Sequence, residues 1–426
     1  MSKQRNPDHV RRRNVPGPSN EVVEERLMEL VKPEVDKQSE YYKSLGLRER
    51  LLGLPMMVAL VLTTLWRQVP SRRELTRMVR REKLLWCDPV KVSQVALNNR
   101  FLTFPASIFE RILKGLLPRI KVRWEARTNR PLPPSIAIAN QYFENIWAAD
   151  GSTLEALFRK LDSLKDVKPG TLAGKMFTVF DMISYLPVDI WYDENPFRHD
   201  TNFFDQLLAL LPDKKPTLLI FDRGLYCFTF FADIIAKKHH FITRPKSNLV
   251  YTSFKILSWT DQVRDQIIIV GDLELRLIQV KFCDGWYSYL TSVLDPNILP
   301  PVVVADLYQR RWSIETVFEI VKHTLHLAYL WTGSINGVLL QIWGTWLFYT
   351  ILVDLGDMIA DAIELPFERI SIEMTFRGLY HFNNAFKNGL ADDLIDFFTH
   401  PDNKDLGIVK PLRKPKLILD FAPFHT

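Results

Sequence analysis

Along the chain the hydrophobic rhythm changes three times. From residue 20 to about 120, apolar positions recur every three to four residues, the period of a helix, and strand-like alternation is scarce. After Pro131-Leu132-Pro133-Pro134, short apolar runs predict strands at 136–139, 146–149, 176–183, 188–192, 217–221 and 241–244. Helical stretches at 153–164, 202–211 and 228–238 separate or follow them, and that alternation predicts an α/β core. Residues 249–294 then read mostly as strand, at 250–256, 266–270, 273–282 and 286–293, with Gly271-Asp272 and Asp284-Gly285 as hairpin turns. This block is expected to be an antiparallel insert within the α/β domain. Helical spacing returns from 304 to about 361.

The rhythm divides the chain into a disordered basic N-terminus (1–19), an all-helical domain (20–125), an α/β domain (126–405, insertion about 249–294) and a basic C-terminal tail (406–426). Residues 51–66 and 338–353 are apolar runs of sixteen residues each. A bilayer requires roughly 20, so both are expected to be buried core helices and no membrane partner is expected. The first thirteen residues are polar and basic with no apolar segment behind them, unlike a secretory signal.

Composition narrows the picture only a little. The 426 residues are 47% apolar, enough for two or three cores, and the net charge of +6 is compatible with a nucleic-acid partner without establishing one. Cys87, Cys227 and Cys283 lie far apart, in no metal-ligand spacing, which argues for a reducing compartment. Ser71 followed by Glu74 is a capping-box signature for a helix carrying Arg72, Arg73, Arg77, Arg80, Arg81 and Lys83. That surface is either a solvated basic face or a DNA contact.

The densest chemistry lies in residues 307–327, twenty-one residues without Gly or Pro. With Arg311 at zero on a wheel of about 100° per residue, Glu315 falls near 40°, Lys322 near 20° and Tyr308 near 60°. Leu307, Ile314, Val317, Phe318, Val321 and Leu325 fill the adjoining arc. One helix is thus expected to carry a buried face bordered by Tyr, Arg, Glu and Lys. An ordinary Arg311–Glu315 pair on an amphipathic helix is the plainer reading. His323 and His326 share one side of it, but no third strong ligand is near in sequence.

Two aspartates stand at strand ends. Asp150 closes Ile-Trp-Ala-Ala-Asp-Gly-Ser and Asp222 closes Thr-Leu-Leu-Ile-Phe-Asp-Arg-Gly. In open α/β sheets functional groups gather at carboxyl ends of strands, although an Asp there also commonly begins a turn or caps a helix. With Glu315 they form a carboxylate set able to hold two divalent ions around an in-line phosphoryl transfer, with Arg311 and Lys322 neutralising phosphates.

These motifs resemble the signatures of DDE transposases. The residues are Asp-Gly-Ser at 150–152, Phe-Asp-Arg-Gly at 221–224 and Tyr-x2-Arg-x3-Glu-x6-Lys at 308–322. The last is similar to the Tyr-Arg-Glu-Lys motif of the insertion-sequence-four family, and the resemblance covers about residues 130–350. It implies an RNase H-like catalytic core with a β-rich insertion; the all-helical domain before it, read as DNA-binding, is similar to the family only in being helical and basic. The implied activity is cut-and-paste transposition, comprising end nicking, hairpin formation and strand transfer, with Asp150, Asp222 and Glu315 as catalytic metal ligands. Two Mg²⁺ ions are implied, with Mn²⁺ able to substitute. Implied partners are double-stranded DNA, both terminal inverted repeats and target, and a second copy in a homodimer. The implied location is a prokaryotic cytoplasm, at the nucleoid. Tyr308, Arg311 and Lys322 are implied phosphate contacts, with Arg223 a further candidate, while Arg72, Arg73 and Arg77 are DNA-contact candidates only from the basic face of their helix. Trp286 is either a base-stabilising aromatic of the insert or a plain packing residue. A domesticated DNA-binding descendant and an RNase H-like nuclease remain alternatives.

Overall fold

The computed structural model describes residues 16–48, 50–154, 174–282, 285–327 and 334–411. Most of the N-terminal segment expected to be disordered, most of the helix expected at 153–164, Asp284 of the second turn and the tail beyond 411 lie outside these residues. The chain forms two compact units, one of Met1–Pro131 with Ala156–Leu172 and Glu319–Pro411, the other of Leu132–Glu155, Ala173–Phe318 and Leu412–Thr426.

The first unit begins with α1 (Glu21–Asp36), α2 (Ser39–Ser44), α3 (Leu54–Trp66), α4 (Arg72–Arg81), α5 (Gln94–Thr103) and α6 (Ala106–Ala126). Helix α4 starts as the capping signature predicts, Ser71 Oγ accepting from the Glu74 N–H at 3.1 Å. Its cations are partly spent locally. Arg77 pairs with Glu74 at 2.8 Å, and Arg80 donates twice to the Val92 carbonyl.

The second unit holds a nine-stranded mixed sheet flanked by helices. Its elements are α7 (Pro134–Ala139), β1 (Asn145–Thr153), β2 (Lys175–Asp181), β3 (Pro187–Asp193), α8 (Phe204–Leu210), β4 (Thr217–Phe221), α9 (Phe228–Ala236) and β5 (His240–Thr243). β6 (Thr252–Trp259), β7 (Val263–Val270), β8 (Leu273–Phe282) and β9 (Gly285–Thr291) follow, then α10 (Pro301–Arg310) and α11 (Ser313–Glu319). Strand order is β3-β2-β1-β4-β5-β9-β8-β7-β6, with β1, β4 and β5 parallel and the other pairings antiparallel. The antiparallel insert therefore extends the same sheet through β9. Gly271 adopts φ +59° between β7 and β8, the left-handed region that a two-residue hairpin turn demands.

Side chains alternate across the sheet. Trp147, Ala149, Phe177, Leu219 and Phe221 enter the core that includes Leu207, Phe230 and Phe231 of α8 and α9. Ile146, Ala148, Leu218 and Ile220 point to the other face and are fully buried, and α10 packs on β4, β5 and β8. Arg276 of β8 is fully buried, pairs with Asp265 of β7 at 2.6 Å and donates to the Leu299 carbonyl at 2.8 Å, just before α10. The insert thereby anchors the start of the helix that delivers the motif residues.

Three sequence-based expectations are corrected. Residues 136–139 form α7 rather than a strand, because Pro134 at the first turn starts a helix and four residues of apolar pattern are too few to fix a period of two. Residues 307–327 are not one helix. The chain tightens at Arg311–Trp312, where Trp312 N–H bonds Gln309 O and Ile314 N–H bonds Arg311 O, then widens into a π-turn at Ile320–Thr324 closed by Leu325 N–H to Ile320 O at 2.9 Å. A constant angle of about 100° per residue cannot be carried through such changes of pitch. Finally, the apolar run at 338–353 is part of α12 (Ile335–Ala362), 28 residues long. It is long and apolar enough to cross a membrane, but its most apolar window is 94% buried against protein. It is the core helix of the first unit, packed by α3, α5, α6, α13 (Ile372–Lys387) and α14 (Leu394–Thr399).

Candidate active site

The sheet register brings two carboxylates together. On the parallel strands β1 and β4, Ala149 pairs with Phe221, so Asp150 and Asp222 occupy the next step of the two chains and share the face of Ile146, Ala148, Leu218 and Ile220. Asp150 Oδ1 accepts from the Gly151 N–H at 2.8 Å, and Asp222 Oδ1 accepts from the Gly224 N–H at 2.7 Å. Asp150 is held by the next residue of its own strand, which continues to Thr153, and Asp222 by the turn that follows it.

From α10 on this same face comes Arg311, whose side chain is 5% exposed. Its Nη1 donates to Asp150 Oδ2 at 2.9 Å and its Nη2 lies 3.5 Å from Glu315 Oε1. The guanidinium sits 5.6 Å from the Tyr308 ring and 5.5 Å from the Trp312 ring. Arg311 is thus the counter-ion that joins the first aspartate to the glutamate. Burial raises the Asp150 carboxyl to about 6; Arg311 opposes the shift, while Asp222 and Asp200 add to it. Burial also raises the Tyr308 hydroxyl, so it keeps its proton and can donate at neutral pH. Tyr289 of β9 packs against the Tyr308 ring at 5.5 Å.

The remaining sequence-selected residues are dispersed. Arg223 is exposed in the short turn after Asp222. Trp286 is half-buried on β9 with Arg264 stacked 4.3 Å from its ring, and the same guanidinium lies 5.1 Å from Trp259. Lys322 lies in the π-turn within the first unit, as do Arg72, Arg73 and Arg77 of α4.

Asp200 was not singled out by sequence. It lies in the turn Asp200–Phe203, and its Oδ1 meets Lys175 Nζ at 2.6 Å. A methyl group built on Gly151 would strike its carboxylate, and one built on Gly224 would crowd it at 3.1 Å. The available signal was a glycine after each strand-end aspartate, at 151 and 224, which marks a close approach of some other group.

Among the described residues no three His, Cys, Asp or Glu are gathered closely enough to hold a metal ion. The donor chemistry nevertheless fits a hard divalent cation. Asp150 and Asp222 offer oxygens side by side, and burial holds the proton on Asp150 against the opposing pull of Arg311, a cost that a bound cation would offset.

Residues 144–351 match the family model described as the transposase DDE domain. A protein of Sinorhizobium fredii named as a transposase is 29% identical over 201 residues, 43% of this chain and 54% of that relative. A protein of Geobacillus stearothermophilus named as the transposase for an insertion sequence element is 23% identical over 251 residues, 54% of this chain and 61% of that relative. The matched region contains Asp150, Asp222, Tyr308, Arg311, Glu315 and Lys322, although the chain spans only 54% and 61% of the two relatives' lengths.

Proposed function

We propose that this chain is a DDE transposase that moves an insertion sequence by cut-and-paste, with Asp150, Asp222 and Glu315 as its catalytic carboxylates. One observation carries the reading. Asp150 and Asp222 adjoin on one sheet face and Arg311 links Asp150 to Glu315, inside the region similar to the transposase DDE domain. The antiparallel β3-β2-β1 meander followed by parallel β4 and β5 supports an RNase H-like core, with β6–β9 as its insertion. The spacing of Tyr308, Arg311, Glu315 and Lys322 supports the insertion-sequence-four branch.

The three carboxylates would hold two Mg²⁺, or Mn²⁺ in their place, which when bound activate a water or 3′-hydroxyl and steady the leaving oxygen. The chain's own groups do the rest. Asp150 must be ionised to act as a ligand. Glu315, with 42% of its side chain exposed, can turn from Arg311 toward substrate. Arg311 then neutralises the phosphate beside the scissile bond, and Tyr308 donates to it. Lys322 and Arg223 contact flanking phosphates, and Trp286 stacks on an unpaired base. The helical N-terminal domain grips the terminal repeats with Arg72, Arg73 and Arg77, two copies bridging the two ends in the bacterial cytoplasm.

The test is cleavage of a labelled duplex carrying the DNA that flanks the gene, in Mg²⁺. Wild type is expected to nick at the element boundary, and Glu315→Ala to bind that duplex equally while cutting slower by roughly 10³-fold or more. If neither protein cuts and both bind that end specifically, the chain is a DNA-binding descendant. At limiting Mg²⁺, cutting should also fall as pH drops through about 6, because protonation of Asp150 competes with the ion there, and raising Mg²⁺ should move that fall to lower pH. A rate at limiting Mg²⁺ unchanged between pH 5 and 8 would remove Asp150 from the ligand set.

A further inference from the structure

We infer that Asp200 is a positioning residue of the carboxylate site, wedged between Gly151 of β1 and the turn that follows Asp222 so that it sets the separation of Asp150 and Asp222, with Lys175 holding it in place. The inference rests on the proposed role of Asp150 and Asp222. It begins from the two glycines. A Cβ on Gly151 would overlap Asp200 Oδ1 and the Lys175 side chain, and a Cβ on Gly224 would fall 3.1 Å from Asp200 Oδ2 and 2.9 Å from Asp222 Oδ1. Gly151, next to Asp150 on β1, and Gly224, two residues after Asp222, thus lack side chains where this one carboxylate lies.

Asp200 is fixed from its own side as well. Three residues on, Phe203 is buried and stacks on Phe177 of β2 at 4.8 Å and on Trp191 of β3 at 6.3 Å, anchoring the turn to the sheet. That turn packs on the Arg223–Leu225 turn carrying Gly224. Lys175, the partner of Thr153 in the β1–β2 pairing, completes the brace. Its Nζ meets Asp200 Oδ1 at 2.6 Å and donates to the Arg198 carbonyl at 2.9 Å. The Asp200 contact is an ion pair rather than an aligned hydrogen bond, since Oδ1 makes no hydrogen bond of good geometry. Only 18% of the Asp200 side chain is exposed. An ion pair needed merely for the surface requires neither glycine.

A brace of this kind acts through Asp150 and Asp222, and its removal should lower metal affinity without weakening DNA binding. The experiment titrates the full chain with Mn²⁺, following free ion by electron paramagnetic resonance, for wild type, Asp150→Asn, Asp200→Asn and Lys175→Met. Asp200→Asn keeps the shape and loses the charge. It is expected to weaken Mn²⁺ binding by about 10–100-fold, with affinity for the flanking duplex unchanged. Lys175→Met should weaken it in the same direction, and the double variant should be no worse than Asp200→Asn alone. If Asp200→Asn fails to fold, Gly151→Ala displaces the carboxylate without removing it and should give the same loss. Wild-type Mn²⁺ affinity in Asp200→Asn or the folded Gly151→Ala, alongside a loss in Asp150→Asn, overturns the inference alone. Unchanged affinity in Asp150→Asn overturns the carboxylate-site reading and this inference with it.

Discussion

Asp150→Asn is expected to lower end cleavage by roughly 10³-fold or more and, at the same time, to stabilise the metal-free fold above pH 6. The second effect follows from the direction of the carboxyl's shift. Burial raises Asp150 from its ordinary 3.8 to about 6, so the folded chain holds a proton that the unfolded chain has released. Between those values stability falls as pH rises, and above about 6 the whole cost is present. About two pKa units at about 1.4 kcal/mol each make that cost up to about 3 kcal/mol. Asparagine resembles the protonated side chain and escapes the cost, less whatever Arg311 loses when its 2.9 Å partner becomes neutral. Urea unfolding in EDTA checks this. The variant should exceed wild type at pH 8 and converge on it toward pH 4. Wild-type cleavage, or a variant less stable than wild type at pH 8, would make Asp150 a structural counter-ion of Arg311.

Whether the two strand-borne aspartates were legible in sequence depends on how local each cause is. Asp150 and Asp222 could be found because each ends a run of apolar residues long enough to identify a strand, and parallel pairing of β1 with β4 then aligns them without further information. Asp200 could not, because its approach depends on the aromatic stack under Phe203, which joins residues from β2, β3 and the turn. The break at Arg311–Trp312 left no trace in residue types either. No Gly or Pro marks it, and the carbonyl shifts that tighten the turn accompany a tertiary contact, the reach of Arg311 to Asp150. The same holds for α12. Its aspartates looked like the end of an apolar run, whereas arginines distant in sequence neutralise them and let the helix continue by more than two turns beyond Val353.

Those aspartates carry the largest stability effect expected in the helical unit. Asp354 has no exposed side-chain surface and receives Arg26 at 2.6 Å, Arg127 at 2.6 Å and Arg123 at 3.3 Å, while Arg127 and Arg130 also reach Asp357. Burial alone would raise the Asp354 carboxyl, but Arg127, Arg26 and Arg123 outweigh it and the net direction is down. Its contribution is therefore present at neutral pH and lost only as pH falls through that lowered value. Asp357, with fewer cations against similar burial, is raised instead. Asp354→Ala leaves three guanidinium groups facing an apolar helix, and breaking a buried pair from one side costs about 3–5 kcal/mol. Removing charge from both sides costs much less. Asp354→Leu combined with Arg127→Met should recover a good part of the loss, Arg26 and Arg123 still being able to turn toward solvent or, for Arg123, toward Glu29 at 3.0 Å. Chemical denaturation of the three proteins at pH 7 decides it. A single-variant loss below about 1 kcal/mol would mean that water reaches Asp354 and that this network is a solvated surface cluster.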